Sequence, residues 1–358
     1  MMNALAGIDA AREILPERPS RALRALPPPK ATPRALRDER DFLEAEARRA
    51  MGFFNAAEAL YRRVLRGKDD PVLFVEACLG SAAGLRSVGR VRDASARIKA
   101  ARTAAKRSGL RAFKERFALE AAMILRAAGF YAESLRRLKP LLERALRSGE
   151  WGEVSFIYWA VGGAERFRGR LADSEKAYLR SLAMARRARD RIAQGYAEFG
   201  LGGITRVRGK LALAARYYSR AAGAFRSTDD FFARAYAECG YANALRQLGR
   251  LAQAERHYRR SHKIYSSLGD AVDLAYVDWG LGQIRLLQGR PRSAVPFLRK
   301  SLAAFQRGSE NRGIVLAKKS LAEALHAIGR SREGEAFFAG AYRLARRTGL
   351  HAHLERYT

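Results

Sequence analysis

Cysteine is almost absent: Cys78 and Cys239 are the only two in 358 residues. Two thiols make no disulfide framework and suit a reducing compartment. Long apolar runs are missing as well, and no stretch approaches the roughly 18 residues that a membrane-spanning helix needs. The N-terminal MMNALAGIDAAREIL has no basic region followed by an unbroken apolar segment, so no secretory signal is expected and a cytoplasmic location is. Histidine is rare, with five residues. His257 and His262 lie five apart, off one helical face, and His351 and His353 have no cysteine or carboxylate cluster at metal-site spacing. They read as surface histidines. No Ser/His/Asp or Cys/His arrangement can be assembled, so neither an enzyme nor a cofactor is expected.

Acidic residues are also few, 36 against 68 basic, for a formal charge of +32. The excess is not a detachable tail. Residues 1–50, 51–150, 151–250 and 251–358 carry net +2, +11, +9 and +10. Charge spread in this way implies an extended basic surface suited to an acidic partner, although an arginine-rich composition alone would give the same sum.

What the chain does have is a period. A glycine stands at 89, 129, 169, 209, 249, 289 and 329, each 40 after the last, and Gly52 precedes the first by 37. Counting from that corner, position +5 is small: Ala57, Ala94, Ser134, Ser174, Ala214, Ala254, Ala294, Gly334. Position +9 is large: Tyr61, Ile98, Leu138, Tyr178, Tyr218, Tyr258, Leu298, Phe338. Position +12 is mostly small again, as in Ser181, Ala221 and Ser261, and −7 is mostly Gly or Ala, as in Ala82, Gly162, Gly202 and Gly282. Small residues let two helices approach, a large one between them fills the gap, and glycine allows the left-handed turn joining them. Each unit then reads as two antiparallel helices that bury their apolar faces only by stacking on neighbours.

This pattern, seen as Gly202, Gly209, Ala214, Tyr218 and Ala221, resembles the tetratricopeptide repeat (TPR) in a long, 40-residue form. The resemblance spans residues 38–348. It implies an all-α, right-handed α-solenoid of about eight stacked helix pairs, with a concave groove for a partner, like repeats of bacterial regulatory and scaffold proteins. The proline that often closes such repeats is missing here. Residues 1–37 read as a Pro/Arg-rich arm. Within it a short amphipathic helix over 3–15 precedes a mostly extended 16–37, which holds six of the ten prolines. The terminal GLHAHLERYT, residues 349–358, reads as a capping segment.

The glycines of FGLGGITRVRGK, residues 199–210, form neither a dinucleotide fingerprint nor a phosphate loop, because Lys210 is followed by Leu211 and the same glycines recur as Gly280 and Gly282. The informative feature is a ladder at −3: Arg49, Arg86, Arg126, Arg166, Arg206 and Arg246, lapsing to Leu286 and His326. Further rows fall at +7 (Arg136, Lys176, Arg216, Arg256) and +11 (Arg180, Arg220, Arg260, Lys300). Aromatics occupy −13 (Phe156, Tyr196, Tyr236, Tyr276) and −10 (Trp159, Phe199, Trp279, with Cys239 between). Positions −13, −10, −6 and −3 share one helical face. The resemblance implies that this face lines the groove, so Arg86, Arg126, Arg166, Arg206 and Arg246 with Trp159, Tyr196, Phe199, Tyr236, Tyr276 and Trp279 are the expected partner-binding residues. A structural reading stands beside it: arginine in a last helical turn is favoured by the helix dipole, and the tyrosines could be core between repeats. The expected function is a non-enzymatic scaffold or adaptor that binds an acidic protein segment, with assembly into a larger complex. A nucleic-acid-binding solenoid and a sensory or effector-binding module of a bacterial regulator are the alternatives.

Overall fold

The computed structural model describes residues 2–67 and 69–350. Among these residues there are eighteen α-helices and no strand. α1 (Met2–Ile14) and α2 (Pro19–Ala25) come first. Eight pairs follow: α3 (Arg37–Ala50) with α4 (Phe54–Val64), α5 (Pro71–Ser87) with α6 (Val91–Arg107), α7 (Lys114–Ala127) with α8 (Tyr131–Ser148), and α9 (Trp151–Phe167) with α10 (Leu171–Arg187). The other four are α11 (Arg191–Val207) with α12 (Leu211–Phe225), α13 (Phe231–Gln247) with α14 (Leu251–Leu268), α15 (Ala271–Leu287) with α16 (Pro291–Arg307), and α17 (Asn311–Ala327) with α18 (Ser331–Arg347). The chain is an all-α solenoid of helix pairs. Its contacts divide it into two compact units, Met1–Leu201 with Gly223–Ala233, and Gly202–Ala222 with Arg234–Thr358.

Every pair turns at its phase-zero glycine, and all eight of these glycines have φ between +69° and +90°. A side chain there would put Cβ against the following carbonyl. The turn back into the next pair repeats too, at Gly109, Gly149 and Gly269, while Arg189 and Ser309 adopt the same left-handed conformation without being glycine; Gly349, after α18, is left-handed as well. Helix starts are capped where acids allow: Asp70 Oδ1 accepts from the Val72 and Leu73 amides, and Asp230 Oδ1 accepts from that of Ala233. The first helix of a pair is apolar on several sides, since it packs on its own second helix and on the pair before it; α5 alone buries Val75, Ala77, Cys78, Leu79, Ala82 and Leu85.

The N-terminal segment departs from the extended arm that its prolines suggested. α2 and two 3₁₀ turns, Pro29–Ala31 and Arg34–Leu36, occupy most of 16–37. Pro19 sits in the first turn of α2, where it lacks no hydrogen bond, and Ala22 and Leu26 bury with Ile8 and Ala11 against Leu43 of α3. The same segment reaches a distant part of its unit. The Ser20 amide donates to Asp229 Oδ2 (3.0 Å). Phe53 meets Phe231 edge-on at 6.1 Å and Phe54 meets Phe232 at 5.4 Å. A Cβ on Gly52 would lie 2.6 Å from Phe232 Cβ. Residues 351–358, and with them most of the expected capping segment, lie outside the described residues.

Candidate partner-binding face

The first helices are held by an interlock that crosses repeats. The +9 tyrosine lies over the −7 glycine of its own pair and the −9 glycine of the next. A Cβ on Gly162 would be 2.9 Å from the Tyr178 ring, and one on Gly200 only 2.2 Å from it. Tyr61 closes on Gly80 and Tyr258 on Gly280 in the same manner, at 2.4 and 2.3 Å, and Tyr218 on Gly202 at 3.0 Å. The hydroxyl of this tyrosine then reaches the ladder. Arg49 Nε donates to Tyr61 Oη at 3.2 Å, and Tyr258 donates to the −6 residue Asn243 (2.8 Å) while also bonding Arg246. Burial pushes the Tyr258 hydroxyl up to about 12, partly offset by Arg246.

In the first unit the ladder begins charge-compensated. Arg49 pairs with Glu46 at 2.5 Å and Arg86 with Glu120 at 2.7 Å. Burial alone would raise the Glu46 carboxyl, but Arg49 and the Tyr61 hydroxyl outweigh it and hold Glu46 below the usual range. Arg116 grips Glu76 with both terminal nitrogens. Glu46, Arg49, Glu76, Arg116 and Glu120 line a cavity of about 200 Å³ whose apolar wall is Leu79, Leu119 and Phe156. Further along the unit the guanidinium of Arg126 lies 4.9 Å from the ring of Trp159, in the next pair, and Arg166 lies 4.8 Å from Phe167. Trp159 packs edge-on against Tyr196 at 5.9 Å. Phe199 is 8% exposed and belongs to the core.

In the second unit the ladder has no acid beside it. Arg206 donates to Gln247 Oε1 (3.4 Å), and Arg246 lies 5.2 Å from the Trp279 ring with 6% of its surface exposed. Among the described residues neither makes an ion pair, and the Nε of each is buried with no acceptor. Trp279, 7% exposed, donates its indole N–H to Ser320 Oγ (2.9 Å), which also receives the amide of Gln283 (2.7 Å). Cys239, between the aromatic positions, is buried, and burial pushes its thiol up to about 12.

The −13 tyrosines are staples. Tyr196 donates to Asp230 Oδ2 (2.7 Å) and packs edge-on against Phe225, both within the first unit. Tyr276 donates to Glu310 Oε1 (2.9 Å) and packs on Phe305. Tyr236 is half-buried at the equivalent place. The eleven residues expected to bind a partner therefore share a helical face, but Phe199, Trp279 and Arg246 spend their surface on neighbouring helices.

The first helices also carry a row of carboxylates at −11. Glu198, Glu238 and Asp278 are in consecutive pairs, and Glu198 and Asp278 are buried. His257 Nδ1 lies 2.5 Å from Glu238, while Asp278 meets Lys300 at 2.9 Å and His262 at 3.7 Å. The two central histidines are thus not free surface groups but partners of acids on the adjacent first helices. The signal was a 40-residue recurrence of acids at an otherwise apolar face. Among the described residues no group of three or more His, Cys, Asp and Glu could hold a metal ion.

The interlock, the corner glycines and the paired helices give the chain a TPR-like repeat architecture. A family profile described as tetratricopeptide repeat matches residues 233–307. No curated protein matches in sequence. Among solved structures the TPR-like chain is similar to a Rap protein complexed with competence and sporulation factor, with a TM-score of 0.68 at 12% identity over 96% of this chain and 98% of that one. It is also similar to the apo form of the quorum sensor NprR from B. thuringiensis, with a TM-score of 0.57 at 12% identity, covering 94% and 97%. At such identities the likeness is one of fold. No helix among the described residues is long and apolar enough to cross a membrane.

Proposed function

We propose that this chain is a non-enzymatic interaction scaffold whose first-helix face in the second unit takes a carboxylate-bearing segment of a partner protein. The observation that carries this reading is Arg206, a half-buried guanidinium that makes no ion pair among the described residues, donates only to Gln247 at 3.4 Å and keeps a buried Nε without an acceptor. Buried charge is costly unless paired, and the chain has few acids left to supply. A partner carboxylate held by Arg206, with Gln247 beside it, satisfies the geometry in the bidentate way that guanidinium favours. The paired acids along the first unit, Glu46, Glu76 and Glu120, favour the second unit as the anion-binding end.

A second reading is a sensory module, in which the segment is a short peptide effector. It is favoured by the likeness to a Rap protein whose structure holds competence and sporulation factor and to the quorum sensor NprR. Both readings place the ligand on the same face.

The test is fluorescence anisotropy with a labelled hexaglutamate peptide, a hexaserine control and a single-stranded oligonucleotide, each titrated at low and moderate salt. The proposal expects hexaglutamate to bind over hexaserine and Arg206→Gln to weaken it about tenfold, the loss of one charge-assisted pair. Binding of the oligonucleotide alone, with a steep salt slope, would overturn it in favour of a nucleic-acid solenoid.

A further inference from the structure

Three junctions between pairs lack the tyrosine–glycine combination at +9 and the next −9: Ile98 with Glu120, Leu138 with Ala160, and Leu298 with Ser320. Where α6 meets α7, position +9 is Ile98 instead of tyrosine and the facing −9 position is Glu120 instead of glycine. The Glu120 side chain turns away to Arg86, 2.7 Å from its Nε. Beside Ile98 a cavity of about 350 Å³ opens between α6, α7 and α8. Its floor is apolar, made by Ile98, Ala121, Ile124 and Leu125. Its rim is cationic: Lys99 and Arg102 stand one turn apart on α6, with Arg137 of α8 opposite.

The charges on this rim are unevenly used. Arg137 is held by Glu133 (2.6 Å). Among the described residues Arg102 donates only to the Phe117 carbonyl (3.3 Å), and Lys99 makes no ion pair. The hydroxyls of Ser95 and Thr103, which also line the cavity, donate to carbonyls of their own helix, those of Val91 and Lys99. None of these residues belongs to the −13, −10, −6, −3 face.

We propose that the α6–α7 cavity is a binding site for a small amphipathic carboxylic acid, its hydrocarbon body on Ile98, Ala121, Ile124 and Leu125 and its carboxylate on Lys99 and Arg102. The volume lies in the range of small-molecule pockets, and an apolar lining with few convergent polar groups is their usual make-up. The cations at the rim select a terminal anion, and a neutral hydrocarbon would leave them without a partner. The site is separate from the face proposed above and stands without it.

Decanoate binding by isothermal titration calorimetry, with decanol as the uncharged control, tests this on the full chain. Decanoate is expected to bind with a stoichiometry of one and decanol at least about tenfold more weakly, as expected for loss of a charge-assisted contact. Ala121→Phe, which fills the cavity, is expected to abolish binding. Lys99→Glu combined with Arg102→Glu, both at exposed positions, is expected to raise Kd about tenfold or more, with the helical circular dichroism of the wild type retained. Equal binding of decanoate and decanol, or unchanged affinity in both variants, overturns the proposal. So does competition by an acetylated Leu-Glu-Leu-Glu peptide at lower concentration than decanoate, which would make the site a peptide pocket.

Discussion

Replacing Gly52 by alanine tests whether the N-terminal segment is clasped to residues 229–232 in solution. Two costs apply. The left-handed backbone, φ +90°, costs an L-residue roughly 1–2 kcal/mol. The new Cβ would also lie 2.6 Å from Phe232 Cβ and 3.1 Å from the Phe232 backbone nitrogen, where no flexible end can yield, an overpacking worth roughly 1–3 kcal/mol. Gly89 is the internal control. Its φ is +77° but nothing lies within 4 Å of the corresponding Cβ, so Gly89→Ala carries the strain and not the clash. Both changes restrict the unfolded chain alike, so that contribution cancels in the difference. The expected result is that Gly52→Ala loses more stability than Gly89→Ala by about 1–3 kcal/mol in guanidinium unfolding. Hydrogen exchange should localise the extra loss to the amides near Phe231 and Phe232. Equal losses, with exchange near Phe231 unchanged, would show that the clasp does not hold in solution and refute the reasoning.

The interlock predicts a second contrast. Gly200→Ala should destabilise by several kcal/mol, because its Cβ would stand 2.2 Å from the Tyr178 ring, while Gly152→Ala, with open space around it in α9, should be neutral or stabilising by about 0.5–1 kcal/mol in the same unfolding assay. Asp273, in the first turn of α15, has its carboxyl pushed well up by burial and by the neighbouring Asp270 and Glu310. With the folded value above the unfolded one, its contribution is intact below about pH 4 and is lost as pH rises through the raised value. Asp273→Asn should therefore be more stable than wild type at pH 7, and the two should converge toward pH 4. A variant that is less stable at pH 7 would contradict the assignment. Burial raises the Cys78 thiol to about 11 and the Cys239 thiol to about 12, so neither should react with a thiol-specific disulfide reagent at pH 8 until denaturant is added.

Much of this architecture was legible because its cause is periodic. The corner glycines, the small residues at +5 and the tyrosines at +9 are fixed by local geometry repeated every 40 residues, and reading them gave the helix pairs and their turns. What stayed hidden depends on which residues meet. The ladder arginines were visible as a row, but not that Arg49 and Arg86 are neutralised by Glu46 and Glu120 while Arg206 and Arg246 have no such acid. The −13 tyrosines were visible as aromatics, but their bonds to Asp230 and Glu310, 34 residues on, follow only once the register between pairs is known. The helix α2 is hidden among prolines: Pro16 and Pro27 to Pro29 flank it and point to extended chain, while Pro19 fits its first turn. The contact of Phe53 and Phe54 with Phe231 and Phe232 has no periodic signature at all.

The tyrosine–glycine interlock gives the array a reading direction. A pair ending in a +9 tyrosine can be followed only by one that begins with a −9 glycine, as Tyr178 is by Gly200 and Tyr258 by Gly280. The chain is thus written in a grammar in which each word constrains the next. A gene duplication that copies one such pair in frame and sets it between pairs of the same kind would lengthen the array without a seam. The same copy placed between Ile98 and Glu120 would set a carboxylate-bearing residue against a ring. A seamless copy therefore fits at the tyrosine–glycine junctions and not where Ile98, Leu138 or Leu298 at +9 is followed by Glu120, Ala160 or Ser320 at −9.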